Sequence, residues 1–112
     1  MISAAQFAEL ALSFAGTETT PHFNRVGFRV PGKRMFATYL ATDNTANVFL
    51  TPAEQSVFCQ VDSENIFPVP NKWGQKGATT FVLNSVSKKL LREALRSAYN
   101  AVQTPDSKKR KR

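Results

Sequence analysis

Phe7, Leu10, Ala11 and Phe14 recur at the spacing of one helical face. Ser3, followed three residues later by Gln6, forms a capping box at the N-terminal end of that pattern. Together they predict a helix over about residues 4–15, with Gly16 as its stop. The period then changes. Val26, Phe28 and Val30 alternate with Arg25, Gly27 and Arg29, which is the pattern of a half-buried strand. Pro31-Gly32 supplies a turn, Arg34 to Leu40 a second strand, and Asp43-Asn44 a second turn. Ala46, Val48 and Leu50 alternate on a third strand, so an antiparallel meander is expected.

Thr51-Pro52-Ala53-Glu54 starts another helix: a capping Thr, Pro at the first helical position, and Glu three residues after the cap. It should span about residues 52–60. The segment 64–72 holds two prolines, so it can form an extended edge but not a central strand. Ala78 to Leu83 reads as a strand. Ser87 can cap a last helix whose apolar face is Leu91, Ala94, Leu95, Ala98 and Val102, and Pro105 ends it. No internal repeat is visible. The order helix, three strands, helix, two strands, helix argues an α+β fold: a two-layer α/β sandwich with an antiparallel sheet of about five strands.

Composition narrows the class. A chain of 112 residues that is 42% hydrophobic suits one globular domain with a single core, here residues 1–103. No apolar stretch is long enough to span a bilayer, so no membrane role is expected. The first residues lack a basic segment before their apolar ones and read as a domain helix rather than a signal peptide. With a lone Cys59, which allows no intrachain disulfide, this implies a cytoplasmic protein. Net charge is +7, and the last nine residues, with five cations and one anion, carry +4 of it. Residues 104–112 therefore read as a flexible basic tail, and the body is only mildly cationic at +3.

Three strings, in order, carry a family resemblance. The first is Thr20-Pro21-His22-Phe23 with Phe28-Arg29-Val30-Pro31-Gly32-Lys33-Arg34-Met35-Phe36-Ala37. The second is Val48-Phe49-Leu50-Thr51-Pro52-Ala53-Glu54-Gln55. The third is Lys72-Trp73-Gly74-Gln75-Lys76-Gly77-Ala78-Thr79, followed by Leu83, Leu91, Leu95 and Tyr99. Their order and spacing over about residues 3–103 resemble the MmcQ/YjbR family of small bacterial proteins. The resemblance implies a compact α/β domain with a frataxin-like or secretion-chaperone-like arrangement. It also implies the family's "double wing" description, two hairpins offered to DNA. It supplies no catalytic residues.

The chemistry of the residues points the same way. One basic hairpin would carry Arg29, Lys33 and Arg34, and another Lys72, Trp73 and Lys76. Lys89, Arg92 and Arg96 share a face of the last helix, with Lys88 one turn from Arg92. Cations on adjacent surfaces suit phosphates, and an aromatic could add stacking. No residue set on one helix addresses base edges, so weak, largely non-specific DNA binding is expected, weakened by Lys89→Glu with Arg92→Glu. Trp73 itself is expected to fold back as a core or rim residue. Gly32-Lys33 and Gly74-Gln75-Lys76-Gly77 lack the spacing of a phosphate loop and read as hairpin turns.

A Cys59–His22 pair is formally possible, but Cys59 sits among Val57, Phe58 and Val61, where a buried inert thiol is the usual outcome. No enzymatic role, cofactor or metal is expected, and the domain should be a monomer. The alternative function is a protein-interaction module using an exposed sheet face, with Phe49 and Phe81 turned away from the core.

Overall fold

The computed structural model of the protein describes residues 1–103. Helix α1 (Ala4–Leu12) is followed by strands β1 (Glu18–His22), β2 (Arg25–Arg29), β3 (Met35–Leu40) and β4 (Thr45–Phe49). Then come α2 (Pro52–Val61), β5 (Ile66–Pro68), the one-turn helix α3 (Lys72–Gln75), β6 (Ala78–Val82) and α4 (Lys88–Gln103). The strands form one antiparallel sheet in the order β1-β2-β3-β4-β6-β5. Among the described residues no helix is long and apolar enough to cross a membrane. The basic tail proposed for 104–112 lies outside the described residues.

Local chemistry sets the helix ends. Both capping boxes form: Gln6 N–H donates to Ser3 Oγ and Ser3 N–H to Gln6 Oε1. Glu54 N–H likewise donates to Thr51 Oγ1 and Thr51 N–H to Glu54 Oε1. Ser87 Oγ accepts from Leu90 N–H at the start of α4. The apolar stripe of α4, from Leu91 to Val102, is buried as its period requires. Helix α1 stops at Leu12, earlier than its pattern suggested, because Ser13 turns back onto Leu10 through its backbone and its hydroxyl.

Three expectations are corrected. The sheet has six strands, because Glu18–His22 pairs with β2. Its sequence ETTPH is almost without large apolar residues, and Pro21 is tolerated because β1 is an edge. Phe81 does not face away from the core; it is fully buried, opposite Ala46 and against Phe58. Residues 72–75 form a short helix where a hairpin turn was expected.

The core lies on one face of the sheet. Phe7 of α1 packs edge-on to Phe28 and stacks on Tyr39, while Phe14 and Tyr99 of α4 close around Phe36. Phe36 reaches that side with its neighbour Ala37 because the β2–β3 register shifts there. Phe58 of α2 joins the same side. The fold is thus two layers, with α1, α2 and α4 behind the sheet and the other sheet face bare of long helices.

Candidate functional site

Strand alternation decides what the bare face presents. It carries Thr38, Asn47 and Thr80 across the central strands, since Thr38 pairs with Asn47 and Asn47 with Thr80. These polar groups bond among themselves: Thr80 Oγ1 donates to Asn47 Oδ1 at 2.8 Å, and Arg25 Nη1 donates to Thr38 Oγ1 at 3.2 Å. Gly27, on the same face, has no side chain, and Met35 lies across it. The result is a groove of about 690 Å³ with a polar floor.

Its walls come from opposite edges of the sheet. The turn between β1 and β2 contributes Phe23, the strand ends beside it His22 and Arg25, the β2–β3 connection Arg34, and the α3 segment Trp73 and Lys76. Among the described residues lining it there is no carboxylate, so Arg25, Arg34 and Lys76 face the groove without an opposing anion. A flatter depression of about 500 Å³ between Gln55, Pro68 and Gly74 has no charged lining residue.

The Trp73 wall is held rigidly. Asn71 Oδ1 accepts from Trp73 N–H and caps α3. Gln55, from α2, donates its side-chain amide to Gly74 O, Ala78 O and Thr79 Oγ1 at 2.9, 3.1 and 3.2 Å. Thr79 Oγ1 in turn donates to Gly77 O. The second and third of the family-resembling strings, ending at Gln55 and at Thr79, are thus two halves of one hydrogen-bonded joint. Gly74 is the residue of α3 that faces the body: a Cβ there would lie 1.8 Å from Val69 O. Trp73, one helical step earlier, is consequently turned outward. It is 62% exposed, which corrects the expectation that it would fold back as a core or rim residue. Lys76 Nζ sits 5.3 Å from the centre of its ring, a cation–π contact on one face of the indole.

The opposite wall is strained. Phe23 is 94% exposed and has φ 59°, the left-handed region that a bulky side chain avoids. Its only ring contact among the described residues is with His22, at 4.9 Å between centroids. Such a backbone costs on the order of 1–3 kcal/mol and is a recurrent mark of functional positions. Phe23→Gly should therefore leave thermal stability unchanged or raise it by up to about 1 kcal/mol, since glycine adopts this conformation freely. A melting curve checks this, and a clear loss of stability would mean that the Phe23 ring is structural.

The candidate residues divide among separate surfaces. Arg34, Trp73 and Lys76 meet in the groove. Arg29 points to the same sheet face but is paired with Glu18, Nε to Oε2 at 3.1 Å, which offsets its charge. Lys33 lies on the exposed turn beside the groove, its N–H donating to Val30 O, and Lys72 is exposed at the start of α3. Lys88, Lys89, Arg92 and Arg96 are all exposed on α4, whose other side packs on the sheet, so they lie on the far side of the domain from the groove. Arg25 and Phe23 were not among the candidates. The signal for them was available: an aromatic and an arginine bracketing the short polar turn His22-Phe23-Asn24-Arg25.

His22 and Cys59 do not form a pair. His22 is on the bare face of edge strand β1, Cys59 on a helix behind the sheet, and the sheet lies between. Burial pushes the Cys59 thiol above its ordinary value, away from the reactive thiolate.

This arrangement defines a class: a two-layer α+β domain whose helix-free face carries a cationic, aromatic-walled groove. The chain belongs to the YjbR family, whose model matches residues 12–101 and so covers the whole groove. Among solved structures, protein DR2400 of Deinococcus radiodurans, described by the domain DUF419, is similar with a TM-score of 0.77 at 21% identity. The likeness covers 98% of this chain and 87% of that one, and at this identity it speaks for a shared fold. A search of curated proteins finds no match.

Proposed function

We propose that this domain is a binding module for nucleic acid, weak and largely indifferent to sequence, and that DNA lies on the bare sheet face. The observation that supports this is the groove wall: Arg25, Arg34 and Lys76 converge with no opposing carboxylate, beside an exposed Trp73. Cations so placed are suited to phosphate oxygens, and the floor offers only short polar groups that cannot read a base sequence at length. The chemistry is binding rather than reaction, and it requires no cofactor. The exposed cations of α4 form a second basic surface, on the other layer, that one short stretch of polymer in the groove would not touch.

A salt titration tests the proposal. Three phosphate contacts should give a log–log slope of affinity against salt of about −2 for a single strand and nearer −3 for a duplex. Anisotropy of a labelled DNA should show that slope both for the full chain and for the chain ended at Gln103. Binding that disappears with residues 104–112 would assign the affinity to the terminal cations and sink the groove reading.

The apolar groups on the same face favour a second reading, a protein partner. Phe49 is half-buried in the groove and Phe67 is 38% exposed on β5. An interface of that kind would hold as salt rises, which separates it from phosphate contact.

A further inference from the structure

The sheet face carries more than charge, and phosphate contact alone gives no role to its aromatics. Trp73 at 62% exposure and Phe23 at 94% are the two most exposed aromatic rings among the described residues, and both line the same groove from opposite edges of the sheet. Phe23 is held there by a strained backbone. Resting on the nucleic-acid reading above, we infer that the groove takes unpaired nucleotides, with bases stacked on Trp73 and Phe23 and the backbone tracking Arg34 and Lys76.

The physical case has three parts. Bases in a duplex are already stacked on one another, so rings on a protein wall can engage only bases that have left the stack. A cavity of about 690 Å³ lies in the range of sites for small, compact ligands, roughly 300–1,000 Å³. That room suits individual nucleotides and is too small for the body of a double helix. The floor completes the fit. Asn47 uses its carbonyl oxygen to accept from Thr80, which leaves its amide NH₂ to donate to a base edge. Lys76 lies over one face of the largely exposed indole, and a base stacked on the other face would complete a cation–ring–base sandwich.

Trp73 is the one tryptophan in the chain, so its fluorescence reads the site directly. The full-length protein should be titrated with oligodeoxythymidylate, with a blunt-ended duplex of equal phosphate number, and with inorganic polyphosphate. The single strand is expected to quench Trp73 and to bind more tightly than the duplex, and polyphosphate to bind without comparable quenching. Trp73→Ala should lower single-strand affinity by roughly 5- to 150-fold, the range for loss of one base stack, while Trp73→Phe should recover most of it. Phe23→Gly provides an independent second probe with the same expected direction. Equal binding of duplex and single strand without quenching would overturn this inference and leave the nucleic-acid reading standing. Polyphosphate matching the single strand, with Trp73→Ala unaffected, would overturn it in favour of a plain polyanion site. Binding to none of the three would overturn both readings.

Discussion

Gly77→Ala should destabilise the domain by about 2–5 kcal/mol. Two independent costs add at this position. Gly77 has φ 117°, where an L-residue is strained, on the order of 1–2 kcal/mol. A Cβ there would lie 1.8 Å from Leu50 O and 2.8 Å from Leu50 C, which are backbone atoms and have no rotamer to escape into. Relief requires β6 and the end of β4 to move apart. That movement breaks the bond from Leu50 N–H to Gly77 O and loosens the Thr79–Gly77 contact that Gln55 shares. Overpacking of this sort costs roughly 1–3 kcal/mol more. Against a typical total of about 5–15 kcal/mol the loss is large. Thermal melts should show a fall of roughly 8 °C or more for a domain of this size. Gly32→Ala is the matched control: its φ is 85° but nothing lies within 4 Å of the added Cβ, so only the backbone strain is felt. Equal melting points for the two variants would show that the joint around Gly77 is not what holds α3 to the sheet.

The second large effect concerns binding. Arg34→Glu with Lys76→Glu should reduce affinity for single-stranded DNA by at least roughly tenfold and make the log–log salt slope shallower by about 1.4, or 0.7 for each lost phosphate contact. Both residues are exposed, and among the described residues neither is ion-paired, so the melting point should barely change. Lys89→Glu with Arg92→Glu alters net charge by the same amount on the opposite layer and should have a much smaller effect. This differs from the expectation formed on sequence, which counted the hairpins and the last helix as contributors to one interface. The pair of double variants separates local contact from overall charge. If the helix variant abolishes binding and the groove variant does not, the interface is the basic face of α4 and the bare sheet face serves something else.

Much of the architecture was legible before the structure. The capping boxes at Ser3 and Thr51 and the 3.6-residue period of α4 depend only on contacts within a few residues. The β2–β3–β4 meander was marked by alternation and by turn dipeptides. Strand β1 was not legible, because ETTPH has no apolar face and becomes a strand only by pairing with β2 along its whole length. The direction of Phe81 was ambiguous for a related reason. In ATTFV either set of alternate residues could face inward, and the pairing of Phe81 with Ala46 is what settles it.

The candidate site was only half legible. Arg34, Trp73 and Lys76 were named from residue type and turn chemistry, which are local properties. Their partners Phe23 and Arg25 carried a local signal that was passed over, but that they face Trp73 and Lys76 from the opposite edge depends on strand order, a long-range property. The outward direction of Trp73 rests on Gly74 against Val69 and on Gln55 reaching across from α2, contacts between segments distant in the chain. The separation of the α4 cations from the groove follows from the sheet standing between them. Residue spacing on a helix reports which side chains share a face, and so sequence sufficed for the three long helices, the turns of the meander, charge and family. Which faces look toward one another depends on how the layers stack, and that alone put three of the ten candidate residues in the groove and four on its far side.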